Sequence, residues 1–327
     1  MMVKVLVTGA GALLGQGIIK SLRLADNDYY IVAVDPDPRS IGLYWADKAC
    51  LVPMATELNY LENVCQIIKR ENPDVILIGT DVELMIFAEN KEKIELDFDT
   101  KVVVSSPEAI KIADDKWLTY NFLRENGFPF PKSVLLGDKK INFPLIVKPR
   151  VGARSVGVHR VKTLQELDYA LSVVDNPIIQ EDVSTPDNEY TSGIVVFDGI
   201  AKAIVTMRRD LRDGNTFRAY IEPESPFDSI LMEMAEKLGG TGPLNFQFRN
   251  DGGVPKVFEI NARFSGTTPI RALAGFNEVD QVVQHVVRGY EVVQNTIRST
   301  TVLRYWDEQV VDMDTEGINA RRITHAD

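Results

Sequence analysis

The chain has few of the residues that build disulfide frameworks or zinc sites. Its 327 residues include two cysteines, Cys50 and Cys65, and three histidines, His159, His285 and His325. The cysteines form no Cys-x-x-Cys pair and the histidines are scattered, whereas zinc sites need clustered ligands at short spacings. We therefore expect both cysteines to be reduced core residues, and we expect neither a disulfide scaffold nor a zinc site.

Long hydrophobic runs and an excess of basic charge are also missing. No apolar run approaches the ~18 residues of a membrane-spanning helix, and the opening sequence MMVKVLVTG is typical of a buried strand rather than a signal peptide. Lys and Arg number 36 against 47 Asp and Glu, a net charge of −11, whereas nucleic-acid binding depends on clustered Lys and Arg. We expect a cytoplasmic protein without a nucleic-acid or membrane partner, although this charge allows a basic pocket for one small anion.

The first hundred residues alternate strands with helices. With 45% hydrophobic and 25% charged residues the composition is globular, and the length suggests about two domains. Apolar strand patterns occur at Val3–Thr8, Tyr30–Val34, Val75–Gly79 and Lys101–Val104. Strands separated by helices form parallel sheets, so residues 1–105 are predicted to form a Rossmann-like parallel sheet covered by helices.

The sequence pattern changes near Ser106. Ser106 followed by Pro107 is typical of a helix start, and the short strands beyond it have an antiparallel pattern from Pro177 to Ile221. We therefore predict a mixed fold, in which an α/β domain is followed by an α+β region with an antiparallel sheet.

A glycine turn joins the first strand to the first helix. Gly9, Gly11 and Gly15 lie in it, and Asp35 ends the next strand. This is close to the dinucleotide fingerprint, in which glycines let backbone N–H groups approach a pyrophosphate, but its Gly-x-Gly-x-x-x-Gly spacing is one residue longer. Three interpretations stay open: NAD(P) binding, a tight strand–helix turn, and a contact with an anionic substrate.

Two strands near residue 250 are predicted to form a hairpin with one polar face. They flank Asn250-Asp251-Gly252-Gly253, a hairpin turn signal. Because side chains alternate between the faces of a strand, one face is predicted to pack inward through Leu244, Phe246, Phe248, Phe258, Ile260 and Ala262. The other face is then predicted to carry Gln247, Glu259, Asn261 and Arg263, which we call the carboxylate–amide face.

The carboxylate–amide face has the chemistry of a metal–phosphate site. Carboxylate and amide oxygens are ligands that suit Mg²⁺, which completes its shell with water and phosphate oxygens. A guanidinium such as that of Arg263 suits a phosphoryl group on which charge develops. An ordinary solvated strand face is the alternative interpretation.

Two lysines precede this hairpin in the chain. Lys148 ends an apolar strand that begins at Leu145, and a loop of small residues, 151–157, follows it. Such a loop lets backbone N–H groups surround phosphates. Lys116 lies near the start of an earlier helix. A lysine at the end of a buried strand either extends to the surface or faces a ligand, and the loop that follows Lys148 favours the ligand.

The ordered set of these motifs resembles the ATP-grasp superfamily, and most closely its members of the carbamoyl-phosphate-synthetase large-subunit type. The set comprises Lys116, Lys148-Pro149 with its loop, Gln180-Glu181-Asp182-Val183, the strand beginning Glu189-Tyr190-Thr191, and Gln247 with Glu259-Ile260-Asn261-Ala262-Arg263. The resemblance implies a pre-ATP-grasp domain (1–105), a small ATP-grasp lobe (106–183), and a large lobe with a C-terminal extension (184–327).

The resemblance also implies nucleotide contacts. Lys116 and Lys148 would contact the phosphates of ATP, and Lys148 would be catalytic. The backbones of Glu181 and Val183 would meet the adenine, and Glu189 would bind the ribose hydroxyls. In the loop, Arg154 and Ser155 would contribute further contacts, with Arg154 standing where the family usually has glycine.

The carboxylate–amide face acquires metal and catalytic roles in the same way. Gln247, Glu259 and Asn261 would hold Mg²⁺, with Mn²⁺ as a substitute. Arg263 would be catalytic and would steady the transferred phosphoryl group.

The resemblance further implies an ATP- and Mg²⁺-dependent ligase that activates a carboxylate as an acylphosphate for attack by an amine or related nucleophile. Arg208, Arg209 and Arg271 are candidates for holding a carboxylate, because arginine binds carboxylates through two hydrogen bonds. Asp81 and Glu83 are candidates for holding an amine or a hydroxyl-rich substrate, since they follow a strand at the ligand-binding edge of the sheet. The alternatives are an NAD(P)-dependent oxidoreductase and a non-catalytic nucleotide-binding protein. A homodimer is one candidate for the oligomeric state.

Overall fold

The computed structural model describes residues 2–137, 142–152, 155–311 and 323–325. Arg154, for which a phosphate contact was predicted, lies outside these residues. The described chain forms three β-sheets, two of six strands and one of four. Within it Cys50 is buried, Cys65 is half-buried, and the two cysteines are not joined by a disulfide bond. None of the described helices has the length and apolarity that a bilayer crossing would require.

The N-terminal part forms the predicted parallel sheet. Along the chain it consists of β1 (Val3–Val7), α1 (Leu13–Arg23), β2 (Tyr29–Asp35), α2 (Ile41–Trp45), β3 (Lys48–Leu51), α3 (Tyr60–Glu71), β4 (Val75–Leu77), α4 (Asp81–Phe98) and β5 (Lys101–Val103). The strand order is β3-β2-β1-β4-β5, with every pairing parallel. Strand β3 was not predicted, because it is only four residues long and follows a short helix.

A small antiparallel sheet follows. Its region contains α5 (Pro107–Asp114), α6 (Lys116–Glu125), β6 (Ser133–Val134), β7 (Leu145–Pro149), β8 (His159–Val161), α7 (Leu164–Val173) and β9 (Pro177–Glu181). The sheet order is β6-β9-β7-β8. Ser106 caps α5 as predicted, since its hydroxyl accepts a hydrogen bond of 3.2 Å from the Ala109 N–H.

The large antiparallel sheet takes up most of the remaining chain. It is built from β10 (Glu189–Phe197), β11 (Ile200–Arg212), β12 (Asn215–Ile221), β13 (Gly242–Asp251), β14 (Val254–Asn261) and β15 (Thr300–Leu303), with helices α8 (Asp228–Leu238), α9 (Thr268–Leu273) and α10 (Glu278–Arg288). The order is β14-β13-β10-β11-β12-β15. A last strand, β16 (Ile323–His325), returns to the N-terminal sheet and pairs in parallel with β3.

The hydrophobic core joins the N-terminal sheet to the large sheet. One buried cluster includes Leu6 and Val32 together with Phe246 and Ile260, and α1 packs against α9 and α10. The small sheet has a separate cluster that includes Val147. The small sheet is therefore the part of the molecule that shares least core with the rest. The predicted domain limits at 105/106 and 183/184 stay predictions.

Arg271 is a structural group in this fold, which corrects its prediction as a substrate ligand. The residue is fully buried, and its Nε donates to Glu278 Oε2 at 2.9 Å. It also donates to the hydroxyls of Thr267 and Ser265 at 2.7 and 3.0 Å. A Cβ on Gly193 would lie 2.4 Å from its guanidinium carbon. The guanidinium therefore ties α9 to α10 inside the core and is out of reach of a bound substrate.

Replacing Arg271 by Met should destabilise the protein by about 3–5 kcal/mol, because it leaves the Glu278 carboxylate buried without its partner. Urea denaturation of the wild type and the variant measures the difference. The double variant Arg271→Met with Glu278→Leu should recover much of the loss, since it removes both charges. An Arg271→Met protein as stable as the wild type would contradict the structural role.

Candidate functional site

A cleft separates the small sheet from the large sheet and contains most of the predicted nucleotide contacts. It encloses about 190 Å³ of space that a water-sized sphere can enter. The predicted residues that line it are Lys116, Lys148, Ser155, Glu181, Val183, Glu189, Gln247 and Glu259. Strands β7 and β9 form one wall, and β10, β11, β13 and β14 form the other.

Lys148 is a buried cation without a carboxylate partner. Lys148 is the next-to-last residue of β7, and 6% of its surface is exposed. None of the ion pairs between described residues includes it. Burial, followed by the nearby charge of Lys116, lowers the pKa of Lys148 to about 8, although Glu259 and Glu189 act in the opposite direction. An anion entering the cleft would supply the missing opposite charge.

Lys116 lies at the first turn of α6 and faces the loop after β7. Its Nζ donates to the carbonyl of Gly152 at 2.9 Å, and its backbone N–H donates to the carbonyl of Arg150 at 3.0 Å. Arg150 in turn pairs with Asp115, the N-cap of α6. These contacts hold the small-residue loop against the start of the helix, so both lysines lie at one end of the cleft.

The carboxylate–amide face forms as the hairpin pattern predicts. Gln247 pairs with Glu259 across β13 and β14, and its Nε2 donates to Glu259 Oε1 at 3.0 Å. Asn261 Nδ2 donates to the same oxygen at 3.1 Å, and Arg263 Nη2 donates to Asn261 Oδ1 at 2.8 Å. The four side chains are thus in contact, while their ligand roles stay predictions.

The prediction that Phe258 packs inward is wrong. A β-bulge lies directly after the Gln247–Glu259 pair, so that Phe248 pairs with Val257 and Phe258 is an extra residue. Val257 takes the core position with 1% exposure. Phe258 instead lines the cleft, with its ring centre 5.2 Å from the ammonium of Lys148. Strict alternation cannot reveal a bulge, so this cleft residue was missed from the sequence.

The donor set of the carboxylate–amide face fits a magnesium ion shared with phosphates. One carboxylate and two amides offer hard oxygen ligands, and Mg²⁺ commonly takes few protein ligands and several water or phosphate oxygens. In the described ranges no three His, Cys, Asp or Glu side chains form a metal-binding group. The residues present therefore match a metal that arrives with a nucleotide better than a site closed by protein ligands alone.

Glu189 and Arg209 form a buried ion pair in the floor of the cleft. Arg209 Nη2 donates to Glu189 Oε1 at 2.8 Å and to Gln247 Oε1 at 2.6 Å, and Arg249 also pairs with Glu189. Glu189 was predicted to bind ribose and Arg209 to bind a substrate carboxylate. Both line the cleft, and their mutual pairing holds Gln247 in place.

Arg208 lies away from the cleft, which corrects its prediction as a substrate ligand. It is one residue from Arg209 on β11 and therefore points to the opposite face. There it pairs with Asp187 at 2.8 Å, and its guanidinium lies 3.8 Å from the ring centre of Tyr220. These contacts engage the guanidinium on the face of the sheet that a ligand in the cleft does not reach.

The predicted adenine contacts lie where β9 leaves the small sheet. The Glu181 carboxylate pairs with Lys256 Nζ at 2.8 Å, and its N–H donates to the carbonyl of Lys132 at 2.8 Å. The carbonyl of Val183 accepts from Asn188 Nδ2 at 2.9 Å. The segment is fixed by these contacts, and because Lys256 engages the Glu181 carboxylate, a ligand here would meet backbone groups.

A second cavity, with about 500 Å³ of space that a water-sized sphere can enter, lies between the carboxylate–amide face and the N-terminal sheet. It shares Lys116, Gln247 and Glu259 with the first cleft. Asp81 lines it, as predicted for a substrate contact, and accepts from Arg263 Nε at 2.7 Å. Asp114 also lines it, and burial, followed by the nearby Asp81 carboxylate, raises the pKa of Asp114.

Glu83 belongs to the interior and not to this cavity, which corrects its prediction. It is 4% exposed and accepts hydrogen bonds of 2.7 Å from the hydroxyls of Thr8 and Thr80, and a further one from Tyr60. Burial raises the pKa of its carboxyl group. Its contacts fix the turn between β4 and α4 that carries Asp81.

The N-terminal glycine turn is closed by the chain's own side chains. Asp35 accepts hydrogen bonds from the Gly11 N–H at 2.7 Å and from the Ser40 hydroxyl at 2.6 Å. A Cβ on Gly11 would lie 2.0 Å from Ser40 Oγ. The donor that the fingerprint would direct at a pyrophosphate is thus engaged by a carboxylate, which favours the tight-turn interpretation.

Two family models match the chain. The model described as an ATP-grasp in the biosynthetic pathway with Ter operon matches residues 183–309, and the PylC-like N-terminal domain matches residues 5–103. The carbamoyl phosphate synthase large chain of Methanosarcina mazei is 24% identical over 88% of this chain. The chain spans about 30% of the length of that relative.

Solved ATP-grasp structures share the fold. N5-carboxyaminoimidazole synthetase from Staphylococcus aureus, solved with ADP, matches with a TM-score of 0.71 and 14% identity over 91% of this chain and 81% of its own. L-Amino acid ligase from Bacillus licheniformis matches with a TM-score of 0.68 and 16% identity over 88% of this chain and 74% of its own. The predicted fold and the resemblance to ATP-grasp proteins are confirmed.

The pH dependence of Mg-ADP binding should follow Lys148. Since the pKa of Lys148 is about 8, the ammonium is charged below that pH and loses its proton as the pH rises through it. We expect the association constant, measured by calorimetry, to fall above pH ~8 by up to about tenfold per pH unit.

Lys148→Arg provides the control, because a guanidinium stays charged over this range. Its association constant should be flat over the same pH interval. A wild-type profile that is equally flat would show that Lys148 does not govern binding of the phosphates.

Proposed function

We propose that this chain, which combines a PylC-like N-terminal domain with an ATP-grasp domain, is an ATP- and Mg²⁺-dependent ligase that joins a carboxylate to an amine or a related nucleophile. The carboxylate is activated as an acylphosphate, with release of ADP. The nucleophile then displaces phosphate.

One observation carries this proposal: a buried lysine without a carboxylate partner faces the carboxylate–amide face across a single cleft. Lys148 and Lys116 supply positive charge at one end. At the other end the Glu259 carboxylate is hydrogen-bonded by the amides of Gln247 and Asn261, and these three side chains would supply oxygen ligands. A nucleotide whose phosphates carry a bound cation matches both ends at once.

The chain's own residues position the phosphates and neutralise their charge. Lys148 and Lys116 would pair with phosphate oxygens, and Phe258 gives the lysine an aromatic neighbour that excludes water. When bound by Glu259, Gln247 and Asn261, Mg²⁺ would offset the charge that develops on the transferred phosphoryl group. No protein nucleophile is required, because phosphoryl transfer depends on positioning and electrostatics.

The second cavity is suited to bind the two other substrates, the carboxylate and the amine. Arg263 lies where the carboxylate–amide face opens into it and is placed to hold the activated carboxylate or the phosphoryl group. Asp81, which pairs with Arg263, and Asp114 form an acidic wall on the side of the N-terminal sheet, which suits an amine. A cytoplasmic location is part of this proposal, supported by two cysteines that are not joined by a disulfide bond, and a homodimer is its proposed assembly.

Glu259→Gln should lower ADP formation by on the order of 10²-fold or more, because the neutral amide removes the single carboxylate of the metal-binding face. The assay measures ADP release with Mg-ATP and a panel of carboxylates and amines. Urea denaturation should show an intact fold.

The matched control is Glu291→Gln, an exposed glutamate outside both cavities. It should release ADP as the wild type does. Turnover by Glu259→Gln at the wild-type rate would contradict the assigned site. A wild type that binds Mg-ATP but releases no ADP with any substrate pair would instead indicate a non-catalytic nucleotide-binding protein.

A further inference from the structure

Arg304 is a cation of the second cavity that lies apart from the carboxylate–amide face. It lines the cavity together with the start of α1. Its backbone N–H donates to the carbonyl of Phe217 at 3.0 Å, which continues the pairing of β15 with β12. The strand thus carries Arg304 on the same face as Val302, which packs against the core.

The guanidinium of Arg304 is held by neutral groups. Nη1 donates to the carbonyl of Thr216 at 3.1 Å, and Nη2 donates to the carbonyl of Gly266. None of the ion pairs within the described ranges includes Arg304. Two backbone carbonyls orient the planar group but leave its charge without a counter-ion among the described side chains.

The surroundings of Arg304 disfavour its charged form when no anion is bound. Burial, followed by the charge of Arg271, lowers the pKa of Arg304, and its charge in turn contributes to lowering the pKa of Lys20. Arg271 is already neutralised by Glu278. A half-buried arginine that backbone carbonyls orient toward a cavity, without a carboxylate partner, is stabilised when an anion pairs with it.

We propose that Arg304 binds a substrate carboxylate that is not the one activated. Arginine holds a carboxylate through paired charge-assisted hydrogen bonds, and Arg263 serves the reacting group at the carboxylate–amide face. The substrate therefore carries a spectator carboxylate, as an α-amino acid or a dicarboxylic acid does. This inference rests on the proposed ligase function.

The carboxylate bound by Arg304 can belong to either of two reactants, the amine acceptor or the acid that is activated. If it belongs to the amine acceptor, the acidic wall formed by Asp81 and Asp114 binds the amine and Arg304 binds the carboxylate. If it belongs to the activated acid, one carboxylate lies at Arg263 and the other at Arg304. Paired compounds distinguish the two sources.

The experiment measures thermal shifts and ADP release of the full chain with Mg-nucleotide and matched pairs of compounds. One arm compares α-amino acids with their amides, and the other compares dicarboxylates with their monoamides. The wild type should favour the free carboxylate in one arm. Arg304→Gln should lose that preference, with an apparent affinity lower by about tenfold or more, the size of one charge-assisted hydrogen bond.

Two variants separate binding from folding. Arg304→Lys should keep part of the preference, because it retains the charge but loses the planar fork. Arg298→Gln, which changes an exposed arginine of the same segment that also donates to a backbone carbonyl, should behave as the wild type. The thermal shift produced by Mg-ADP should be the same in Arg304→Gln, Arg304→Lys and Arg298→Gln as in the wild type.

The proposal is overturned if Arg304→Gln and the wild type prefer the carboxylate equally, or if amides and carboxylates act alike in both arms. It is also overturned if the wild type binds Mg-ADP but responds to no carboxylate of the panel. Failure of the wild type to bind Mg-nucleotide at all would instead count against the proposed ligase function, so the two failures are distinguishable.

Discussion

The pairing of Gln247 with Glu259 across the β13–β14 hairpin fixes the rest of the site. It places the Glu259 carboxylate between two amides and orients Asn261 toward Arg263. The bulge that follows the pair turns Phe258 toward Lys148. Arg209 and Glu189 support Gln247 from the neighbouring strands. One register thus sets the carboxylate–amide face, the aromatic wall of the cleft and the opening of the second cavity.

The cations of the interior and of the two cavities differ in whether a carboxylate neutralises them. Glu278 neutralises Arg271, Glu189 neutralises Arg209, and Asp81 pairs with Arg263. Lys148 is buried and Arg304 is half-buried at the two cavities, and neither has such a partner in the described chain. Bound substrates would supply the missing anions, so the energetic cost of burying these cations is offset only when the cavities are filled.

Much of the fold and half of the site follow from local sequence patterns. The parallel sheet, the cap at Ser106 and the hairpin after Asn250 depend on periodicity and turn chemistry, which act over a few residues. Phe258 was misplaced because a bulge depends on packing across strands. Arg271 and Glu83 were misassigned because burial is a tertiary property, and the position of Arg304 depends on β15 pairing with a strand some 80 residues earlier. Contacts between residues so far apart in the chain cannot be predicted from local sequence patterns.

Calorimetric titration of the full chain with ADP in Mg²⁺, ADP in EDTA, and NAD⁺ tests the central claim most directly. The claim is that Lys148 and the carboxylate–amide face together form a magnesium-nucleotide site. We predict tight binding of Mg-ADP, much weaker binding without the metal, and none of NAD⁺, because Asp35 engages the glycine turn. Binding of NAD⁺ with no response to Mg-ADP would contradict this claim and assign function to the N-terminal sheet.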